Sequence, residues 1–213
     1  MNIGSIASKN KILCYPWSRS LLVGSFLACL LPVGQTKAEM GSVKIGDKIA
    51  DFTLSDPRGE SHSLSQSKGT KATVVIFIAT RCPYSNAFTH VMAELSREYE
   101  EKGVRFIGIN ANKTEPSPEV QQHASKNGLS FLVLKDDTDG VANRLGAQVT
   151  PEVFLLDSTM TVKYHGAVGN SRNPTTKPEE ANGDELKAAL DAVLNGKPVS
   201  VTTTKAFGCT IKR

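Results

Sequence analysis

One cysteine lies where a strand pattern gives way to a helix pattern, and a thiol in that place could do chemistry. The segment 71–85 (KATVVIFIATRCPYS) contains an apolar, β-branched run over Thr73–Ile78 that predicts a buried strand. Pro83 suits the first position of a helix, because its missing N–H would have no partner there. Cys82 is then the N-cap residue, with its sulfur beside free backbone N–H groups and the positive end of the helix dipole. Such a setting favours the reactive thiolate, and we interpret Cys82 as a nucleophile.

The remaining cysteines divide between the two ends of the chain. Cys14 and Cys29 fall within the first 38 residues, so a chain without that segment keeps only Cys82 and Cys209. Two cysteines in an exported protein can pair or take part in redox chemistry. Cys209 lies in the tail, which could fold back over Cys82 or reach a second subunit. The alternative for either residue is a small, buried apolar side chain without a catalytic role.

Residues 1–38 have the parts of a secretory signal peptide. Basic residues precede an apolar stretch, Leu21–Val33, and the segment closes on Thr36-Lys37-Ala38. The stretch is 13 residues long, whereas a membrane span needs roughly 20. We therefore expect a periplasmic or secreted mature chain without a transmembrane segment. Lipid attachment at Cys29, after a loose lipoprotein box, and an organelle transit peptide are the alternatives.

The positive charge of the chain belongs to this leader. The formal net charge is +4, and the first 38 residues contain no Asp or Glu and four basic residues, Lys9, Lys11, Arg19 and Lys37. Residues 39–213 are therefore formally neutral and have no excess of positive charge with which to bind DNA or RNA. The composition is that of an ordinary soluble domain, and the length suits one domain after the leader.

The body of the chain alternates strand and helix patterns and ends in a hairpin followed by a helix. We predict strands over Ala50–Leu54, His62–Leu64, Thr73–Ile78, Val104–Ile109, Phe131–Leu134, Glu152–Leu156 and Thr161–Val168, and helices over Ser85–Lys102, Pro118–Asn127, Val141–Leu145 and Asp184–Leu194. This order predicts an α/β fold with a central mixed sheet, helices on both faces and an N-terminal hairpin. The predicted parts are a leader over 1–38, one domain over 39–196, and an irregular tail over 197–213. Cys82 then lies at the carboxyl edge of the sheet, where sites in such sheets occur.

Several motifs together resemble the thioredoxin fold: a strand followed by Cys-Pro-x-x and a helix, a later Thr-Pro that opens a strand, and the terminal hairpin and helix. Asp51-Phe52-Thr53-Leu54, with Gly59 and Leu64 after it, resembles the amino-terminal hairpin of the redoxin branch, which includes the alkyl-hydroperoxide-reductase/thiol-specific-antioxidant proteins. The segments RCPYS, KGVRFIGIN, TPEVFLLD, YHGAV and GCTIK are similar to an exported, peroxiredoxin-like subgroup, and the similarity runs over Val43–Lys212. The resemblance implies a thiol-dependent oxidoreductase.

The resemblance also implies a role for Thr150-Pro151. The matching proline of thioredoxin-like folds is a cis proline beside the active cysteine. Thr150-Pro151 would then present a backbone edge to a bound partner next to Cys82. The alternative is a trans proline at the start of an edge strand.

The chain departs from the family's patterns at two places. Dithiol members carry a second cysteine three positions after the first, where this chain has Ser85, so Cys82 cannot be resolved within its own turn. Peroxidases of the family have Thr or Ser three residues before the cysteine and Pro seven before, where this chain has Ala79 and Val75. Thr80 is the residue that could replace the missing threonine.

We therefore carry three hypotheses. In the first, the protein is an exported thiol–disulfide oxidoreductase: Cys82 attacks a disulfide, Thr150-Pro151 aligns the partner, and Cys209 or an external thiol completes the cycle. In the second it is a peroxidase that forms a sulfenic acid at Cys82. In the third it is a redox-inactive module that holds thiols or a metal. The expected partners are proteins with thiols or disulfides, or small peroxides. We predict no cofactor and no metal, because the cysteines and the scattered histidines lack the spacing of a zinc site.

Overall fold

The computed structural model describes residues 42–169 and 180–213. The predicted leader, with Cys14 and Cys29, lies outside the described residues, as does part of the loop before the last helix. The strands are β1 (Thr53–Ser55), β2 (Ser61–Ser63), β3 (Ala72–Phe77), β4 (Val104–Asn110), β5 (Leu132–Lys135), β6 (Val149–Thr150), β7 (Glu152–Asp157), β8 (Val162–Gly166) and β9 (Cys209–Thr210). The helices are α1 (Leu64–Ser67), α2 (Pro83–Ala87), α3 (Thr89–Glu100), α4 (Ser117–Lys126), α5 (Gly140–Leu145) and α6 (Asp184–Leu194).

Seven of these strands form one mixed sheet in the order β2-β1-β5-β4-β3-β7-β8, and β6 pairs with β9 in a separate two-stranded sheet. Strands β3, β4 and β5 run parallel, as two strand–helix–strand connections require, whereas β7 is antiparallel to β3 and β8 is antiparallel to β7. This arrangement confirms the predicted α/β class with its central mixed sheet and N-terminal hairpin.

Strand β3 is buried along its whole length, because both faces of the sheet are covered. Val74 and Ile76 join the apolar cluster that contains residues of α3, α4 and α6. Val75 and Phe77 point to the opposite face and join the cluster that contains residues of α5. Alternate side chains of one strand therefore support helices on opposite faces, and the end of β3 is held rigidly from both sides.

Most predicted elements begin and end within three residues of the observed ones, and two further differences have a local cause. The helix predicted over Ser85–Lys102 is divided into α2 and α3 at Phe88, whose N–H bonds the Ser85 carbonyl three residues back. The Thr89 hydroxyl also donates to that carbonyl, so side chain and backbone compete for one acceptor. Leu64, predicted in a strand, instead begins α1, because Ser63 caps that helix by accepting from the Gln66 N–H.

The C-terminal tail is irregular apart from β9. Beyond β9, Ile211 is 3% exposed and packs in the apolar cluster on the α5 face of the sheet. Its N–H donates to the Gln148 carbonyl, and the Lys113 N–H donates to the Lys212 carbonyl. The end of the chain is thus anchored by burial and by backbone hydrogen bonds. In the part of the chain that the structure describes, no helix is long and apolar enough to cross a membrane.

Candidate active site

Cys82 occupies the position that the sequence predicts for it. It is the N-cap of α2, with extended dihedral angles (φ −89°, ψ 116°) and Pro83 in the first turn. Its Sγ accepts from the Ser85 N–H at 3.4 Å and donates to the Thr150 carbonyl at 3.1 Å. The residue is only 2% exposed. The strand-to-helix junction therefore places a sulfur against backbone groups of two different loops.

The loop across from Cys82 contains the predicted cis proline. The Thr150–Pro151 peptide bond is cis, as the resemblance implies. Thr150 is buried, and its carbonyl is the group that contacts the Cys82 sulfur. The same residue belongs to β6, whose register pairs Val149 with Thr210 and Thr150 with Cys209. The backbone edge beside Cys82 is thus occupied by the chain's own tail.

Cys209 lies next to Cys82, although 127 positions separate them in the chain. The Cys209 backbone N–H donates to the Cys82 Sγ at 3.4 Å. Both are free thiols, Cys82 buried and Cys209 half-buried. The sequence left two arrangements open, a tail that covers Cys82 of its own chain and a tail that reaches a second subunit. In the structure the tail covers Cys82 of its own chain.

Gly208 permits the close approach of the tail to the Thr150 loop. A Cβ atom at this position would lie 1.8 Å from the Thr150 carbonyl oxygen and 2.5 Å from its carbon. Such distances are far inside van der Waals contact, and a backbone carbonyl held in a strand cannot move aside. A glycine is therefore required where β9 meets the Thr150 loop.

Replacing Gly208 with alanine is expected to displace β9 and expose Cys82. In a C209S background, which leaves one thiol in the described residues, G208A should raise the rate of Cys82 alkylation at least about tenfold, because local opening controls access to a buried group. T210A is the matched control, since Thr210 is an exposed residue of the same strand. An alkylation rate for G208A equal to that of the control would contradict tight docking of the tail.

The two thiols differ in their surroundings. Burial is the largest cause that raises the pKa of Cys209, to about 11, and the neighbouring Cys82 raises it further. Lys212 and the Tyr84 N–H lower the pKa, but by less. Cys209 therefore remains protonated near neutral pH. In a two-step exchange this suits the residue that acts second, since its proton must leave before it can attack.

The raised pKa predicts how the second step depends on pH. Burial, the largest cause of the raised pKa of Cys209, does not depend on a charge at Cys82, so Cys209 stays protonated in the mixed disulfide once the tail has returned to its place. Release of the partner thiol should then rise about tenfold for each pH unit from pH 7 to 9, in step with the thiolate fraction. Mass spectrometry of a preformed glutathione adduct at Cys82 measures that release, with C209S as the blank. A plateau at or below pH 8 would contradict the assignment.

A buried glutamate that the sequence did not single out holds the loop before Cys82. The Glu115 carboxylate accepts from the backbone N–H groups of Thr80 at 2.8 Å and Arg81 at 3.1 Å, and from the Asn110 side chain at 2.6 Å. Since these donors belong to the ends of two neighbouring strands, Glu115 ties the two loops together. Sequence reasoning missed it because a carboxylate that binds backbone N–H groups needs no particular partner residue.

The side chains of Thr80 and Arg81 both bind a second glutamate, Glu119, which lies on α4. The Thr80 hydroxyl donates to Glu119, and Arg81 forms an ion pair with the same carboxylate. The hydrogen bonds from Arg81 and then Thr80 lower the pKa of Glu119 to about 2. Neither side chain is hydrogen-bonded to the Cys82 sulfur, so the structure does not place the Thr80 hydroxyl where it could replace the threonine of peroxidases.

A further glutamate, Glu152, directly follows the cis proline. It is buried and accepts from the backbone N–H groups of Gln148 and Val149 and from the His165 ring.

Among the described residues, one cluster has side chains close enough to hold a metal ion: Asp56, Glu60 and His62. It lies on the N-terminal hairpin, and the Arg58 guanidinium already binds the Asp56 carboxylate.

Comparisons with known proteins agree with this architecture. The sequence profile of the Redoxin family matches residues 44–186. The thiol-disulfide oxidoreductase ResA of Geobacillus thermodenitrificans is 33% identical over 125 residues, which cover 59% of this chain and 70% of that protein. Peroxiredoxin Q of the chloroplast of Oryza sativa subsp. japonica is 24% identical over 193 residues, which cover 83% of this chain and 85% of that protein.

Solved structures also share the fold of this chain. The crystal structure of a hypothetical protein from Sinorhizobium meliloti superposes with a TM-score of 0.75 at 34% identity, covering 81% of this chain and 96% of that one. A putative thiol:disulfide interchange protein DsbE from Chlorobium tepidum shares the fold, with a TM-score of 0.58 at 21% identity over 72% of this chain and 99% of that one.

The sheet, the capping cysteine and the cis proline together define a thioredoxin-like, thiol-dependent oxidoreductase. The chain belongs to the redoxin family, whose profile covers about two thirds of it. The predicted fold and family are thereby confirmed.

Proposed function

We propose that the protein is an exported thiol–disulfide oxidoreductase in which Cys82 is the nucleophile and Cys209 the resolving thiol. The observation that carries this proposal is the Cys209 backbone N–H at 3.4 Å from the Cys82 Sγ. The β6–β9 pair holds Cys209 beside Thr150, whose carbonyl accepts from the Cys82 thiol. Oxidoreductases resolve a mixed disulfide with a second thiol close to the first. With Ser85 in the usual place of that thiol, Cys209 is the cysteine near enough to serve.

The cycle has two exchanges. The Cys82 thiolate attacks one sulfur of a partner disulfide, the partner's S–S bond breaks, and the departing thiolate takes up a proton. Cys209 then loses its proton and attacks the Cys82 sulfur, which forms a Cys82–Cys209 disulfide and releases the second partner thiol. The partner is reduced by two electrons and this protein is oxidised by two. An external thiol reductant must restore the two free thiols.

The backbone around Cys82 supports the first exchange. The Ser85 and Cys209 N–H groups donate to the sulfur and the Thr150 carbonyl accepts from it, so backbone groups on three sides fix the position of the attacking atom. Because β9 covers Cys82, a protein disulfide reaches the sulfur only when residues 208–210 move aside. The partners we propose are therefore thiol- or disulfide-containing proteins that compete with the tail for the edge at Val149–Thr150.

A thiol peroxidase is the second candidate, and the burial of Cys82 favours it, since a small oxidant needs less opening than a protein does. In that reaction the Cys82 thiolate takes one oxygen of a peroxide, which yields a sulfenic acid and an alcohol or water. Cys209 condenses with the sulfenic acid and releases water. The position of the Thr80 hydroxyl on Glu119, together with Ala79 and Val75 in the peroxidase positions, places this candidate second.

One assay compares the candidates directly. The reduced protein is mixed in turn with glutathione disulfide and with hydrogen peroxide, and its two-electron oxidation is followed by intact mass. An oxidoreductase of the proposed kind should oxidise faster with the disulfide and turn over when an external thiol is added. Faster oxidation by peroxide would favour the peroxidase, and a stable adduct without turnover would favour the redox-inactive binding module.

Export to the periplasm or outside the cell rests on the pattern of residues 1–38. The basic residues, the 13-residue apolar stretch and the small residues before position 39 support cleavage after Ala38. Expression of the whole chain in a bacterium with a secretion route should yield a mature protein that begins at Glu39, measured by N-terminal sequencing. A mature chain that begins at Cys29 with an added lipid mass would instead show a lipoprotein. An uncleaved chain would contradict export by this route.

A further inference from the structure

We propose that Glu152 is a positioning residue that, together with His165, holds Cys209 within reach of Cys82. The proposal rests on the proposed function, because it concerns the second exchange of that cycle. It assigns to Glu152 no contact with substrate and no proton transfer. What it assigns is control of the distance between two thiols that lie far apart in the chain.

The Glu152 carboxylate is fully engaged, although it lies inside the protein. Its side chain is 6% exposed. Oε2 accepts from the Gln148 N–H at 2.7 Å and the Val149 N–H at 3.1 Å, and Oε1 lies 2.6 Å from the His165 Nε2. Burial of a carboxylate costs free energy, and the hydrogen bonds that offset this cost also fix the position of their donors. Two of the donors to Glu152 are backbone N–H groups, so the carboxylate fixes the backbone just before Thr150.

This backbone in turn carries the tail. Gln148–Thr150 holds β9 through the pairs Val149 with Thr210 and Thr150 with Cys209, and its Gln148 carbonyl accepts from the Ile211 N–H. The segment thus has Glu152 on one side and the tail on the other. A shift of Gln148 and Val149 would move Cys209 as well, since short strand pairs transmit displacements directly.

His165 connects the same carboxylate to the start of the tail. Its ring is stacked on Phe154, with centroids 4.2 Å apart, so its orientation is set by packing. Its backbone N–H donates to the Thr202 carbonyl, and its carbonyl accepts from the Thr204 N–H. The segment between residues 202 and 211 is therefore bonded at one end to the backbone of His165 and at the other to Gln148, whose N–H Glu152 holds. Cys209 lies within that segment.

The geometry separates Glu152 from the first exchange. Cys82 is positioned by α2, by the Ser85 N–H and by the loop that Glu115 holds. Its other two contacts, the Thr150 carbonyl and the Cys209 N–H, belong to the segment and tail that Glu152 holds, but they act on a thiolate in opposite senses, and the tail covers the sulfur. Loss of the Glu152 carboxylate should therefore weaken the second exchange while the attack of Cys82 on a small disulfide stays as fast or becomes faster. A general loss of structure would slow both.

The test measures the two exchanges separately in the full chain. In a glutathione redox buffer, the fraction of Cys82–Cys209 disulfide gives the effective concentration of Cys209 at Cys82. In a C209S background, the reaction of Cys82 with glutathione disulfide gives the first exchange. E152A is expected to lower the effective concentration at least about tenfold, because proximity in such pairs depends on orientation. The same change should not slow the first exchange.

Two further variants give control and rescue. E152Q retains a carbonyl oxygen for the two N–H groups, and it should restore most of the effective concentration. D157A is the matched control, because Asp157 also accepts from two backbone N–H groups, Thr159 and Thr161, at the opposite end of β7. It should leave both exchanges unchanged.

The outcomes separate this proposal from the proposed function. If the wild-type chain forms no Cys82–Cys209 disulfide, the proposed function fails. If the wild type forms it and E152A matches the wild type, the positioning role is overturned, as it is if E152A slows both exchanges equally. Should E152A fail to fold, H165F takes its place: it keeps an aromatic ring on Phe154 and removes the bond to Glu152. A lower effective concentration in H165F supports the proposal, and an unchanged one overturns it.

Discussion

Replacing Cys82 with serine is expected to lower the rate of disulfide exchange at least about a hundredfold, since a covalent step without its nucleophile has no comparable substitute. A serine hydroxyl fits the same space and can accept from the Ser85 N–H, but it is not ionised near neutral pH. The change in unfolding free energy should stay within about 1–2 kcal/mol, as for most single substitutions. The measurement is the rate of glutathione disulfide consumption, with thermal unfolding as the check on folding.

The matched comparison is C209S, which keeps the nucleophile and removes only the second thiol. If C82S and C209S lost activity to the same extent at the first exchange, Cys82 would not be the attacking residue. Retained turnover in C82S would exclude every mechanism proposed for this site.

Replacing Cys209 with serine should trap the reaction after its first exchange. With the second thiol absent, the mixed disulfide at Cys82 waits for an external thiol, and its resolution should slow at least about a hundredfold because the effective concentration of a held thiol is lost. The backbone N–H of residue 209 remains, so Cys82 keeps that donor. Intact mass should show one glutathione added per chain, persistent in C209S and transient in the wild type.

A mixed disulfide that resolves equally fast in the wild type and in C209S would contradict the role of Cys209. In that case an external thiol completes the cycle. T210A serves as control, because it alters an exposed side chain of the same strand without removing a thiol.

The local features of this site were predictable from the sequence. Cys82 follows a β-branched run and precedes a proline, and both signals act within a few residues. The strand pattern must end before Pro83, and a proline at the first helical position makes the preceding residue the cap. The same locality explains why α6 was predicted with the bounds that the structure has.

The long-range features were less accessible. Nothing in the residues around Cys209 states which surface the tail covers, and the sequence left a fold over Cys82 and a contact with a second subunit equally open. Two features decide it in three dimensions: a buried Ile211 and a glycine at position 208 that lets two backbones touch. Glycine and isoleucine are too common in tails to carry this information alone.

The supporting carboxylates escaped prediction for a different reason. Glu115 and Glu152 bind backbone N–H groups, which every residue except proline offers, so no partner residue marks them in the sequence. The division of the predicted helix at Phe88 is similar, because it depends on which donor reaches the Ser85 carbonyl. In each case the decisive partner is a backbone atom.

The most direct test of the Cys82–Cys209 pair is peptide mapping of the mature chain after oxidation with one equivalent of glutathione disulfide, with free thiols alkylated before and after reduction. The account predicts one linked pair of peptides, containing Cys82 and Cys209, and two alkylated cysteines only after reduction. Two thiols that remain free, or glutathione held at Cys82 while Cys209 is alkylated, would contradict it.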